Sequence, residues 1–115
     1  DAMDFNIVAV TACVSGVAHT YMAAERLEKV GHHEKWNIKI ETQGALGVEN
    51  KITADDIAHA DVVLLVTDIE IDDARRFNGI RTIKTSIKTF LLQPQQIVEA
   101  VKCIMKKPVV YIEIP

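Results

Sequence analysis

The stretch Ile7-Val-Ala-Val-Thr-Ala-Cys13, running directly into Val14-Ser-Gly-Val-Ala-His-Thr20, decides how this chain is read. The first part is apolar almost throughout, the pattern of a strand. The second part has small or apolar residues, no acid, and leads into a helical period that starts near Val17. A strand that turns through Ser15 and Gly16 into a helix leaves several consecutive N–H groups without intrachain acceptors. Those groups form an anion cradle at the positive end of the helix dipole. Cys13 stands at the mouth of that strand. An ordinary thiol is mostly protonated at neutral pH, and a helix N-terminus contributes up to ~2 kcal/mol toward the thiolate. The pattern therefore predicts Cys13 as a nucleophile for a phosphoryl group whose oxygens the same loop donors receive, without any metal.

Working outward, apolar runs alternate with helical patterns along the chain, which predicts βαβ units around a parallel sheet. The first helix is expected over about Val17 to Val30, with Val17, Tyr21, Ala24 and Leu27 on one face and Gly31 as its end. Asn37-Ile-Lys-Ile-Glu-Thr42 alternates like a half-exposed edge strand. Thr53 with Asp56 makes a capping-box start for a second helix, stapled by Ile52 and Ile57. Asp61-Val-Val-Leu-Leu-Val-Thr67 is continuously apolar and belongs in the middle of the sheet beside the first strand. A short helix is expected around Asp72 to Phe77, ending at Gly79, and Arg81-Thr-Ile-Lys-Thr85 reads as a second edge strand. Ser86 to Leu92 reads as a short helix. A longer one starts at Pro94, buries Ile97, Val98, Val101, Ile104 and Met105, and stops at Lys106-Lys107-Pro108.

The expected fold class is α/β: a three-layer sandwich with a four-stranded parallel sheet in the order 2-1-3-4 and helices on both faces. In that order the connections reverse between the first and third strands, and open α/β sheets bind ligands at such a switch point, beyond the carboxyl ends of the strands. The loop Cys13 to Thr20, the segment from Asp68, and Gln43-Gly-Ala-Leu-Gly47 should converge there. Gln43, Gly44 and Asp68 are thus accessory site residues, Asp68 as proton donor or loop anchor.

The 115 residues carry a net charge of −3 and fit one globular domain, 1–115, with the residues ahead of Met3 read as an expression remnant. No stretch approaches the length of a membrane span and no signal peptide is visible, so a cytoplasmic chain is expected. The acidic balance, without a basic cluster interleaved with aromatics, speaks against nucleic-acid binding. Cys13 and Cys103 lack a CxxC partner, so neither a disulfide nor a zinc site is expected. Cys103 reads as a core or near-core residue of the last helix. His32 and His33 read as solvated in a polar connection, and His59 as structural. No His has a metal-ligand spacing, and the chain has no Walker or GxGxxG sequence, so no metal and no cofactor are expected.

Cysteine phosphatases carry Cys-x5-Arg-Ser/Thr, with the arginine clamping phosphate at two points. The same spacing here gives Cys13-x5-His19-Thr20. His19 can donate a hydrogen bond but lacks the permanent two-point clamp, which disfavours hydrolysis and suits passing the group onward. Thr20 is expected to support the loop. A cysteine-dependent phosphatase and a non-catalytic regulatory module on the same fold stand as the rival readings.

Between about Ile7 and Val101 the residues resemble the cytoplasmic IIB component of the fructose-type sugar phosphotransferase system, through VAVTAC, GVAHTYMAAE, ETQG with a following glycine, and Thr53-Ala-Asp-Asp-Ile57. The resemblance implies a phosphocysteine carrier, a protein-phosphohistidine–sugar phosphotransferase. It would take its phosphoryl group from a histidine of a IIA component and give it to a fructose-like sugar entering through a membrane-embedded IIC component at the inner face of the membrane. It implies Cys13 as the phosphorylated residue, with Gly16, Ala18, His19 and Thr20 in the phosphate loop beside Val14, Ser15 and Val17. The family usually places proline after the cysteine, often followed by threonine. Val14 and Ser15 stand here instead, so the cradle gains an N–H and loses some rigidity. The tail Val109 to Pro115 lies beyond the resemblance.

Overall fold

β1 (Asn6–Ala12) and β4 (Val62–Thr67) lie side by side and parallel, with Ile7 opposite Val62 and Ala12 opposite Thr67. Both are apolar at nearly every position because both faces of this pair are covered, and β4 is buried throughout. The computed structural model describes residues 5–14 and 18–115. Around the central pair run α1 (Ala18–Glu34), β2 (Asn37–Gly44), β3 (Gly47–Glu49), α2 (Ala54–His59), a 3₁₀ turn (Ala74–Phe77), β5 (Arg81–Thr85), α3 (Ile87–Leu92), α4 (Pro94–Ile104) and β6 (Tyr111–Ile114).

The sheet is larger than the alternation of apolar runs suggests. Among the described residues it has six strands in the order β3-β2-β1-β4-β5-β6, in place of the four expected in the order 2-1-3-4. The four strands read from the sequence run consecutively through its middle, and each outer one gains a neighbour. β3 pairs antiparallel with Thr42–Gly44 through a tight return over Ala45 and Leu46. β6, built from the tail, pairs parallel with Thr82–Thr85. The sheet is therefore mixed, and β5 is not an edge. Both added strands are only three or four residues long and mostly exposed, so they carry little hydrophobic signal of their own.

α1, α3 and α4 cover one face, where Ala23, Leu27, Phe90, Ile97 and Val101 pack with Ile7, Ala9, Leu64 and Ile83. On the other face Ile52 and Phe77 close over Val8, Val10, Val63 and Leu65. Each such side chain taken out of water contributes about 1.5–3 kcal/mol. The capping box of α2 is present: Thr53 Oγ1 accepts from the Asp56 N–H at 3.1 Å, and Asp56 Oδ2 accepts from the Thr53 N–H at 2.9 Å. Ile52 and Ile57 meet in the same cluster, as a staple requires.

Gly31 does not end α1. The helix continues to Glu34, so His32 and His33 lie in its last turn, exposed, and not in a connection. Gly31 is buried against β2, where a Cβ would stand 2.7 Å from Ile38 Cγ2. The left-handed residue that closes the helix is Lys35, at φ 62°. The Trp36 N–H donates to Gly31 O and the Lys35 N–H to His32 O, the bond pair of a Schellman end. The buried stripe of α1 is Thr20, Ala23, Leu27 and Gly31, with Tyr21 and Ala24 half-buried, while Val17 lies outside the described residues.

Two further expectations change. Asp73 adopts φ 59° ahead of the short turn, so only Ala74–Phe77 is helical there, as 3₁₀. Cys103 is exposed, because it sits roughly 200° around the helix from Val101, which faces the sheet.

Candidate functional site

β1, β2 and β4 end at one level, since Ala12 pairs with Gln43 on one side and Thr67 on the other. Their following residues therefore leave the sheet together at its carboxyl end. Cys13 is the first residue past β1, half-buried and packed against the larger core. Its Sγ lies 3.0 Å from Oγ1 of Thr20, which is buried in the first turn of α1. The sulfur is thus held between a strand end and a helix start. Val14 is 80% exposed, and Ala18 and His19 are exposed at the opening of α1. Ser15, Gly16 and Val17, three of the expected cradle residues, lie outside the described residues.

His19 and Asp68 are brought together on one cavity of about 400 Å³, otherwise lined by Ile87, Lys88, Leu91 and Leu92. Asp68 joins two elements. Its N–H donates to Ala12 O at 2.9 Å, continuing the strand pairing, and its Oδ1 accepts from the Ile87 N–H at 3.1 Å, at the start of α3. The carboxylate is so engaged with a backbone donor at a helix N-terminus, where negative charge is favoured.

Gln43 turns to the loop after β4. Its Oε1 accepts from the Asp72 N–H at 2.8 Å, and its Nε2 donates to Asp72 O at 3.3 Å and to Glu41 Oε2 at 2.8 Å. This amide ties two of the converging loops to each other. Gly44 lies beneath Tyr21, whose hydroxyl would be 2.9 Å from a Cβ at that position.

Sequence reasoning missed the group that holds this corner. Glu41 is wholly buried and takes a two-point grip from Arg76, Nη1 to Oε1 at 2.9 Å and Nη2 to Oε2 at 2.7 Å. The Ile52 N–H adds a bond to Oε1 at 2.9 Å. Burial pushes the Glu41 carboxyl up, and the bonds from Arg76, Gln43 and Ile52 with the Arg76 charge outweigh it, leaving it below the usual carboxylate range. In the sequence Glu41 is one polar residue of an alternating strand, and nothing marks a partner 35 residues away. Among the described residues no group of three or more His, Cys, Asp or Glu side chains is placed to hold a metal ion. No helix among them is long and apolar enough to cross a membrane.

A thiol is thus held at the carboxyl ends of a mostly parallel sheet, against the first turn of a helix. A family model described as "PTS system, Lactose/Cellobiose specific IIB subunit" matches residues 8–100. The chain is 58% identical over 102 residues to "PTS system fructose-like EIIB component 3" of Escherichia coli K12, covering 89% of this chain and 90% of that one. It superposes with a TM-score of 0.91 on a structure described as "Crystal Structure of Predicted Fructose Specific IIB from Escherichia Coli", at 54% identity, covering 95% of this chain and 97% of that one. It is also 43% identical over 91 residues to "PTS system fructose-specific EIIB'BC component" of Haemophilus influenzae, spanning 79% of this chain and 16% of that protein. The chain belongs to the IIB components of the sugar phosphotransferase system, in their fructose-like branch. It is a phosphoryl carrier of such a system, as the resemblance implies.

Proposed function

We propose that Cys13 is the residue that carries the phosphoryl group. The Cys13 thiolate attacks the phosphorus of a phosphohistidine on a IIA component. The S–P bond forms as the N–P bond breaks, and the electron pair stays on the imidazole nitrogen. In the second step the hydroxyl oxygen of a fructose-like sugar, held by a membrane-embedded IIC component, attacks the same phosphorus. The S–P bond breaks, the sulfur leaves as thiolate, and the hydroxyl proton passes to solvent. The chain's part is to present the sulfur and to surround the group in flight with donors. The sequence assigns that role to the backbone N–H groups from Val14 to His19 and to the His19 ring.

The observation that carries this reading is the 3.0 Å contact between Cys13 Sγ and Thr20 Oγ1 at a strand end that opens into α1. A hydroxyl there can donate to a thiolate and, after transfer, remain beside the thioester of phosphate. The Haemophilus relative, whose name joins B and C components in one chain, supports a IIC partner and hence attachment to the inner face of the membrane through it.

The test is intact-mass analysis after incubation with phosphoenolpyruvate, the general phosphotransferase proteins and a fructose-type IIA component. The native chain should gain one thiol-linked phosphoryl group and Cys13→Ser none. No gain, with several IIA components proven active, would leave a binding module on the same fold.

A further inference from the structure

Gly44 ends β2 at a point where the backbone is approached unusually closely. A Cβ there would stand 2.9 Å from the Tyr21 hydroxyl oxygen, 3.3 Å from Cζ and 3.5 Å from Cε2. The first distance is shorter than real carbon contacts allow, so glycine is what lets the phenol reach the strand. Among the described residues the buried Tyr21 hydroxyl has no hydrogen-bond partner. The oxygen therefore meets β2 through its bulk.

The surface that Tyr21 leans on is held in place. Gln43, next to Gly44, exchanges two bonds with the Asp72 backbone, and Glu41 is gripped by Arg76. On its other side Tyr21 adjoins Thr20, whose Oγ1 is 3.0 Å from Cys13 Sγ. A physical path thus runs from a braced strand end, through a planar ring, to the residue that touches the sulfur. An aromatic ring has no soft torsion within itself. It yields to a collision by turning as a whole or by carrying its helix with it.

We propose that the contact between Tyr21 and Gly44 is a stop that sets how closely the first turn of α1 approaches the sheet, and so fixes Thr20 against the Cys13 sulfur. Tyr21 and Gly44 are positioning residues for the transfer. This rests on Cys13 being the phosphoryl carrier. A methyl group at 44 pushes the start of α1 outward, and small misplacements of a reacting group lower rates steeply.

The experiment compares the native chain, Gly44→Ala, Tyr21→Phe and the double variant. Two rates are read: phosphoryl transfer from a phosphorylated fructose-type IIA component, and alkylation of Cys13 by iodoacetamide in a Cys103→Ser background. Gly44→Ala should lower both, the transfer by on the order of tenfold, and Tyr21→Phe, which removes the outermost atom of the stop and leaves the ring, should lower both by a smaller factor. The double variant should recover most of the loss, because without the hydroxyl the nearest atom to the new methyl is Cζ at 3.3 Å. Thermal unfolding of each variant separates this from general damage. Should Gly44→Ala not fold, Tyr21→Leu, which removes the ring and leaves the strand untouched, should lower the same two rates. Unchanged rates in the single glycine variant, or in Tyr21→Leu when that stands in for it, would overturn the stop, as would a loss that Tyr21→Phe does not rescue. If the native chain takes no phosphoryl group, the carrier reading fails, and the alkylation rates still decide whether the stop positions the thiol.

Discussion

Cys13 Sγ and Thr20 Oγ1 lie 3.0 Å apart and join the end of β1 to the first turn of α1. Thr20 is buried, so its hydroxyl has little water to turn to, and the thiol is its natural partner. Replacing Thr20 by valine keeps the shape and removes the bond. A lost hydrogen bond of about 0.5–1.5 kcal/mol corresponds to roughly three- to tenfold in rate. Thr20→Val should slow both iodoacetamide alkylation of Cys13 at neutral pH and phosphoryl transfer by that factor. Thr20→Ser should restore most of each rate.

Asp68 separates anchoring from proton donation. Its carboxylate oxygen accepts from the Ile87 N–H, and an asparagine oxygen can do the same. Asp68→Ala should lower stability by about 1 kcal/mol, the loss typical of a helix cap. Asp68→Asn should recover most of that and leave transfer close to native. A steep fall in transfer with asparagine, measured beside an unchanged urea midpoint, would instead assign Asp68 a proton.

At Gly31 two effects oppose each other. Alanine in a helix interior gains up to about 1 kcal/mol over glycine. The added Cβ meets Ile38 Cγ2 at 2.7 Å, and overpacking in a core costs about 1–3 kcal/mol. Packing wins in this comparison, so Gly31→Ala should be destabilising by urea denaturation. A stabilised variant would mean that β2 yields easily at Ile38.

The Glu41 and Arg76 pair should dominate the effect of surface-distant substitutions. Arg76→Ala leaves a wholly buried carboxylate without its cation and should cost about 3–5 kcal/mol. Arg76→Lys should recover only part, since an ammonium cannot make the two-point grip. The same pair shapes acid unfolding. Glu41 is held below its ordinary range, so its stabilising effect is complete above the unfolded value and is lost as pH falls through the lowered native one. Asp56 behaves likewise, lowered to about 2 by the Thr53 N–H first and then by Lys39. Stability should therefore fall between about pH 4 and about pH 2. Asp56→Asn should flatten part of that decline in urea titrations read by circular dichroism.

What the sequence determined by itself is what local pattern encodes. Continuous burial of β4, the Thr53 and Asp56 capping box and Pro94 at a helix start are each written within a few residues of where they act. Cys13 at the strand end, before a small-residue loop, is legible for the same reason: one strand and one helix start place the thiol. The tertiary structure alone decided what depends on residues far apart. Gly31 and Gly44 look like a helix stop and a loop glycine, and only the facing Ile38 and Tyr21 side chains show that both are close approaches. The Glu41 and Arg76 pair, the turn of Gln43 toward Asp72, and the pairing of the tail as β6 are likewise contacts across the sheet. Periodicity tells which face of an element is apolar, but it does not carry the identity of what lies opposite.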